Sequence, residues 1–138
     1  QDRLARLVAK AFGLSRVNDD RRRSIQRLVP AEYRRKTGEK FYWPKDIDPA
    51  AWRVVRQPEG GASRPLEEIS LIEIGNAMLV VAEQSGGIGS DELLREALNL
   101  LGGKRITQSI RSRLDAALSK AVERGLLRES ESGLIHRA

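Results

Sequence analysis

Residues 104–138, KRITQSIRSRLDAALSKAVERGLLRESESGLIHRA, decide how this chain is read. Thr107 stands as a cap before a run whose apolar residues Ile110, Leu114, Ala117, Leu118, Ala121 and Val122 recur at steps of three and four, the period of a helix with one buried face. Gly125 supplies the stop. Beyond it, 126–129 and 134–137 are short β-compatible runs joined through Ser130, Glu131, Ser132 and Gly133, which predicts a hairpin. A basic helix running straight into a hairpin is the end of a winged helix. The polar face near the helix start carries Arg105, Gln108, Ser109, Arg111, Ser112 and Arg113, side chains able to meet phosphate oxygens and base edges. The solvated side of any amphipathic helix carries the same residue types, so the rest of the chain has to separate the two readings.

Of the 138 residues 40% are hydrophobic, enough to build cores without staples. The absence of cysteine excludes a disulfide framework and thiolate zinc sites, and makes the cytoplasm the default compartment. The longest apolar run, 77–82, falls far short of the roughly 20 residues that span a bilayer, and the first residues show no signal-peptide pattern. No membrane role is expected. The net charge of +6 is unevenly spread: 15 Lys and Arg face 8 Asp and Glu in 1–60, and 10 face 11 in 61–138. The basic field therefore belongs to the first half, and it argues for a polyanionic partner.

In chain order, 2–12 places Leu4, Leu7, Val8, Ala11 and Phe12 at helical spacing before Gly13. Asn18, followed by Asp19 and Asp20, predicts the start of a second helix through Ile25, Leu28 and Val29, which Pro30 should end or bend. The runs 40–43 and 52–56 combine aromatics and valines around Pro44, Asp46, Asp48 and Pro49, and predict a hairpin with a long tip. Residues 57–65, QPEGGASRP, read as a linker, so the expected division is a lobe at 1–56 and a second lobe at 66–138. In the second lobe Ser70 and Glu73 form a capping-box pattern opening a helix through Gln84, closed by Gly86 and Gly87. Gly75 within it weakens the helix by about 1 kcal/mol relative to Ala unless close packing requires it. Ser90 is expected to cap the next helix, through Leu93, Leu94, Ala97, Leu98 and Leu101 to Gly102. Helix, helix, turn, helix, hairpin is the complete winged helix-turn-helix order.

A shift of 89 positions aligns the two halves. Leu4 falls on Leu93, Arg6 on Arg95, Phe12 on Leu101, Gly13 on Gly102, Arg16 on Arg105, Val17 on Ile106, Asn18 on Thr107, Arg22 on Arg111 and Ile25 on Leu114, so caps, stops and core positions agree. The predicted class is mainly α with small β-hairpins, a tandem of winged helix-turn-helix lobes. The second lobe has the 70–84 helix before the shared part and the first does not. The first lobe is thus expected to be truncated at its N-terminus, a piece of a longer protein, with apolar groups on its 4–12 helix left uncovered by their own lobe.

The helix ending in AFGLSR, the basic helix after it, the EKFYWP stretch and the later LNLLGGKRITQSIRSRL pair resemble the C-terminal domain, a domain of unknown function, of large bacterial proteins related to superfamily 1 DNA and RNA helicases. The resemblance covers nearly the whole chain. It implies a place after a helicase-like ATPase and an endonuclease-like domain, in restriction, repair or defence, and it transfers no catalytic residue.

Phosphate-loop spacing is missing around Gly86 and Gly102, which read as helix stops. His136, the single histidine, reads as an exposed polar residue, and Asp46 and Asp48 beside Lys45 suit a hairpin tip better than a metal-dependent nuclease. No cofactor and no metal site is expected. Among the aromatics, Phe41 and Trp43 should cover a small core, leaving Tyr42, out of phase, as the exposed ring. Two functions remain: a non-catalytic nucleic-acid-binding module, DNA favoured over RNA, or a protein-docking module within the same helicase-like protein. The candidate nucleic-acid contacts are Arg16, Asn18, Arg21, Arg22, Arg23, Gln26 and Lys40 in the first lobe. Arg105, Thr107, Gln108, Arg111 and Ser112 are those of the second.

Overall fold

The structure, a computed structural model, describes residues 1–34, 37–57 and 64–138. It is mainly helical with one small antiparallel sheet, and it divides into two compact units, Gln1–Pro49 and Ala50–Ala138. Most of the expected linker, and Arg35 and Lys36, lie outside the described residues. Among the described residues no helix is long and apolar enough to cross a membrane.

In the first unit α1 (Asp2–Ala11) packs against α2 (Asp19–Leu28). Gly13 takes φ +74°, the left-handed stop that only glycine adopts cheaply. Asn18 caps α2 as its residue type predicts, its Oδ1 accepting from the Arg21 amide at 2.9 Å. Pro30 lacks the donor that would continue the helix, and a 3-10 turn over Ala31–Tyr33 follows. Arg34 then donates to the carbonyls of Gln26 at 2.8 Å and Val29 at 3.0 Å, groups that the helix end leaves open. Ala5, Ala9 and Trp43 are buried, whereas α2 has no buried residue.

The hairpin expected from 40–43 and 52–56 does not form. Residues 40–43 return along the first unit, where the Trp43 amide donates to the Tyr33 carbonyl at 2.9 Å. Tyr42 is half-buried, its hydroxyl donating to the Gln26 carbonyl at 3.4 Å, so it is not the free ring its phase suggested. Residues 52–56 belong to the second unit and are held by side chains. Asn76 Nδ2 donates to the carbonyls of Trp52 and Val54, both at 3.2 Å, and Arg124 donates to those of Trp52 at 2.9 Å and Ala50 at 3.2 Å. Alternate carbonyls of an extended segment point the same way, and here two buried or half-buried side chains take the place of a partner strand.

The second unit runs α3 (Leu71–Ser85), β1 (Ile88–Gly89), α4 (Ser90–Leu100), α5 (Gln108–Glu123), β2 (Leu127–Glu129) and β3 (Leu134–Arg137). The three strands pair antiparallel in the order β1-β3-β2, with Ile88 opposite Ile135 and Arg128 opposite His136. Strand β1 was not expected, since Ile88 alone between Gly87 and Gly89 carries no periodic signal. Ser90 is the first residue of α4 and not its cap, a position held by Gly89 in extended conformation.

Helix α3 is the centre of this unit. Ile74, Ala77 and Met78 are fully buried with Leu93, Leu94 and Ala97 of α4 and Leu114 and Ala117 of α5, and Ile135 and Leu127 close the sheet side. Gly75 sits at a close approach in this packing: a Cβ there would lie 3.2 Å from Ala121 Cβ and 3.5 Å from the Ala117 carbonyl. Ser70 caps α3 by accepting from the Glu73 amide at 3.2 Å. The other half of the expected capping box is diverted: the Glu73 carboxylate, fully buried, receives Arg56 and Arg64, each at 2.7 Å, and the Arg56 amide at 2.9 Å. Burial alone would raise its pKa; the hydrogen bonds from Arg64 and then Arg56 outweigh that and hold it below the usual carboxylate range.

Candidate nucleic-acid interface

The 89-residue shift survives as geometry within each unit. Helices α1 and α4 end at Ala11 and Leu100, and Gly13 at φ +74° has its counterpart in Gly102 at φ +85°. Helices α2 and α5 begin at Asp19 and Gln108 behind equivalent caps, Asn18 and Thr107, the latter accepting from the Ile110 amide at 3.4 Å. Even an ion pair repeats: Arg22 faces Asp2 at 3.6 Å, and Arg111 faces Asp91 at 2.8 Å.

These pairs sort the candidate cations. Arg22 also meets Asp19 at 2.8 Å, Arg23 meets Asp20 at 3.4 Å, and Arg111 meets Asp115 at 3.2 Å. The hydrogen bonds from Arg111 to Asp91 and then Asp115 raise its pKa, so its charge is permanent but already answered. Gln26 is spent inside the first unit, its Nε2 donating to Asp2 at 2.9 Å. Ser112 turns back onto its own helix, donating to the Gln108 carbonyl at 3.1 Å. Arg113, which the sequence placed on the solvated face, instead points inward and donates to the carbonyls of Leu66 and Ile69.

A smaller set remains open to solvent. Arg16, Arg21 and Arg105 are exposed and have no acidic partner among the described residues, and Lys40, Thr107 and Gln108 are exposed as well. Arg16 and Arg105 occupy equivalent places in the loop before the capped helix, two residues ahead of Asn18 and Thr107. The amides of a first helical turn and the helix dipole favour an anion beside them. Charge is concentrated in the first unit, where residues 1–49 hold 13 Lys and Arg against 7 acids; residues 50–138 hold 12 against 12.

Sequence reasoning passed over Lys104 and Arg128, and it read His136 as exposed where the structure half-buries it. Lys104 is exposed beside Arg105. Arg128 and His136, cross-strand neighbours on β2 and β3, line a cavity of about 470 Å³ with Glu83 and Arg137, which are themselves paired at 2.8 Å. His136 is half-buried over Gly87, where a Cβ would lie 2.5 Å from its ring. Only the hairpin prediction could have placed these strand residues together. Comparisons with family models, curated proteins and solved structures return no match to this chain.

Proposed function

We propose that the chain is a non-catalytic nucleic-acid-binding module made of one winged helix-turn-helix unit and, before it, a unit that repeats its helix-turn-helix pair with no wing among the described residues, which engage DNA through the starts of α2 and α5. The observation that carries the reading is the pair Arg16 and Arg105: equivalent, exposed, without an acidic partner among the described residues, and set before capped helix starts. The order α3, β1, α4, α5, β2, β3 with sheet order β1-β3-β2 supports it, since α5 then stands where a helix-turn-helix carries its recognition helix and β2 and β3 where a wing follows. In this reading Arg21, Lys40, Lys104 and Gln108 add contacts. Arg22 and Arg111, already facing aspartates, do not lead on phosphates. The proposed setting is a cytoplasmic helicase-like protein in which this module holds the nucleic acid.

Binding of the 138-residue chain to a labelled duplex and to a single strand of equal length, at about 50 and 200 mM salt, tests the proposal. A protein using about four phosphate contacts should lose roughly a hundredfold in duplex affinity between the two conditions. Absence of duplex binding at the lower salt, or binding indifferent to salt, contradicts it.

A further inference from the structure

The first unit carries a groove of about 490 Å³ whose walls are almost wholly apolar, formed by Leu4, Val8, Ile25, Leu28, Tyr33 and Trp43 among others. Four of these have repeat mates in the second unit: Leu93, Ala97, Leu114 and Ala117, each 0% exposed and part of the core that contains α3. In the first unit Leu4, Val8 and Ile25 are only half-buried and Leu28 is exposed. Leu28 is 81% exposed, and Phe12, whose mate Leu101 is 2% exposed, is 80% exposed. The groove is therefore the equivalent of the seat that α3 fills 89 residues later.

We propose that this groove is a docking site for an α-helix from outside residues 1–138, built like α3: about four turns, one continuous apolar face, and acidic in place of basic residues at its edges. The repeat supplies the shape. The charge supplies the second argument: the unit around the groove has 13 Lys and Arg against 7 acids, while α3 has Glu73 and Glu83 and no Lys or Arg. A second copy of the chain is a poor occupant, because its α3 is already buried, Ile72 to Met78 being buried throughout, and its α1 and α2 are themselves basic. This goes beyond nucleic-acid binding and does not depend on it.

The test uses a labelled peptide of residues 70–86 with added terminal glutamates as the stand-in helix, titrated with the full chain. Saturable binding is expected, at least tenfold tighter than for a scrambled peptide and weakened at least tenfold by Leu28→Glu. Leu28 is exposed enough that the variant keeps its fold, which circular dichroism checks. Because a short free helix can fail for lack of nucleation, the same 70–86 sequence is also joined ahead of Gln1 by a flexible linker. The melting of the first unit should then rise by several degrees, and Leu28→Glu should cancel the rise. No rise and no binding, equal binding of the scrambled peptide, or dimerisation of the chain that Leu28→Glu abolishes would each overturn the proposal.

Discussion

Arg22 and Arg111, 89 residues apart, each reach an aspartate in the first turn of the preceding helix, Asp2 and Asp91. Exposed ion pairs of this kind add little stability; what they change is how free the two guanidiniums are. A guanidinium already facing a carboxylate meets a phosphate only by giving up that partner. Arg16 and Arg105 face no carboxylate among the described residues, which is why the proposed contacts centre on them.

Removing the acids should release a cation. Asp91→Asn combined with Asp115→Asn leaves Arg111 without either carboxylate, and duplex affinity should rise, with the salt dependence steepened by about one unit in the log–log slope. An unchanged slope would mean that Arg111 lies away from the nucleic acid.

Glu73 sets the acid limit of the second unit. Its carboxyl is held below the usual range, so the stabilisation is present above the unfolded value near pH 4.3 and is lost as pH falls through the lowered native value. Glu73→Gln should cost about 3–5 kcal/mol at neutral pH, toward the lower end because Arg56, its side chain 58% exposed, can rehydrate. Urea midpoints between pH 2 and 7 should fall steeply on the acid side for the parent and less steeply for the variant.

Gly75 is predicted to tolerate one carbon and no more. At Gly75→Ala the 3.2 Å approach to Ala121 Cβ opposes a propensity gain of up to about 1 kcal/mol, leaving stability nearly unchanged. Gly75→Val should cost about 1–3 kcal/mol through overpacking against α5. Thermal melts of the two variants decide between this and a merely tolerated glycine.

Local chemistry made the helices legible. Asn18 and Thr107 cap where an oxygen side chain precedes an apolar period, and Gly13, Gly102 and Gly125 end helices in the left-handed conformation. Features made by distant partners were not legible. Residues 52–56 look like a strand because they are extended and rich in β-favouring side chains, yet the carbonyls of Trp52 and Val54 receive Asn76 and Arg124, 22 or more positions away, and the Arg56 amide donates to Glu73. Glu73 matched a capping box, and nothing local disclosed that two arginines would claim its carboxylate. The candidate site divided in the same way: the pairs Arg22 with Asp19 and Arg111 with Asp115 follow from helical spacing, but the second aspartates, Asp2 and Asp91, lie on neighbouring helices.

Arg124 should prove to be what fastens 50–56 to the second unit. Half-buried, with its pKa lowered by burial and then by Arg53, it donates to the carbonyls of Ala50, Trp52 and Ile72 and to Asn76 Oδ1. Arg124→Met is expected to cost about 1–3 kcal/mol and to speed amide exchange at Val54 to Arg56 while Ile74 to Met78 stay protected. Uniform acceleration across both stretches would indicate a general loss of stability instead.

The most direct measurement is the salt dependence of duplex binding for the parent chain and for Arg16→Ala combined with Arg105→Ala, with Arg22→Ala combined with Arg111→Ala as the comparison. Each phosphate contact contributes about 0.9 to the log–log slope. The first double variant should lose nearly two units and weaken alike on every sequence, and the second should lose clearly less. Equal slopes for the parent and the Arg16 and Arg105 variant would contradict nucleic-acid binding through these helix starts.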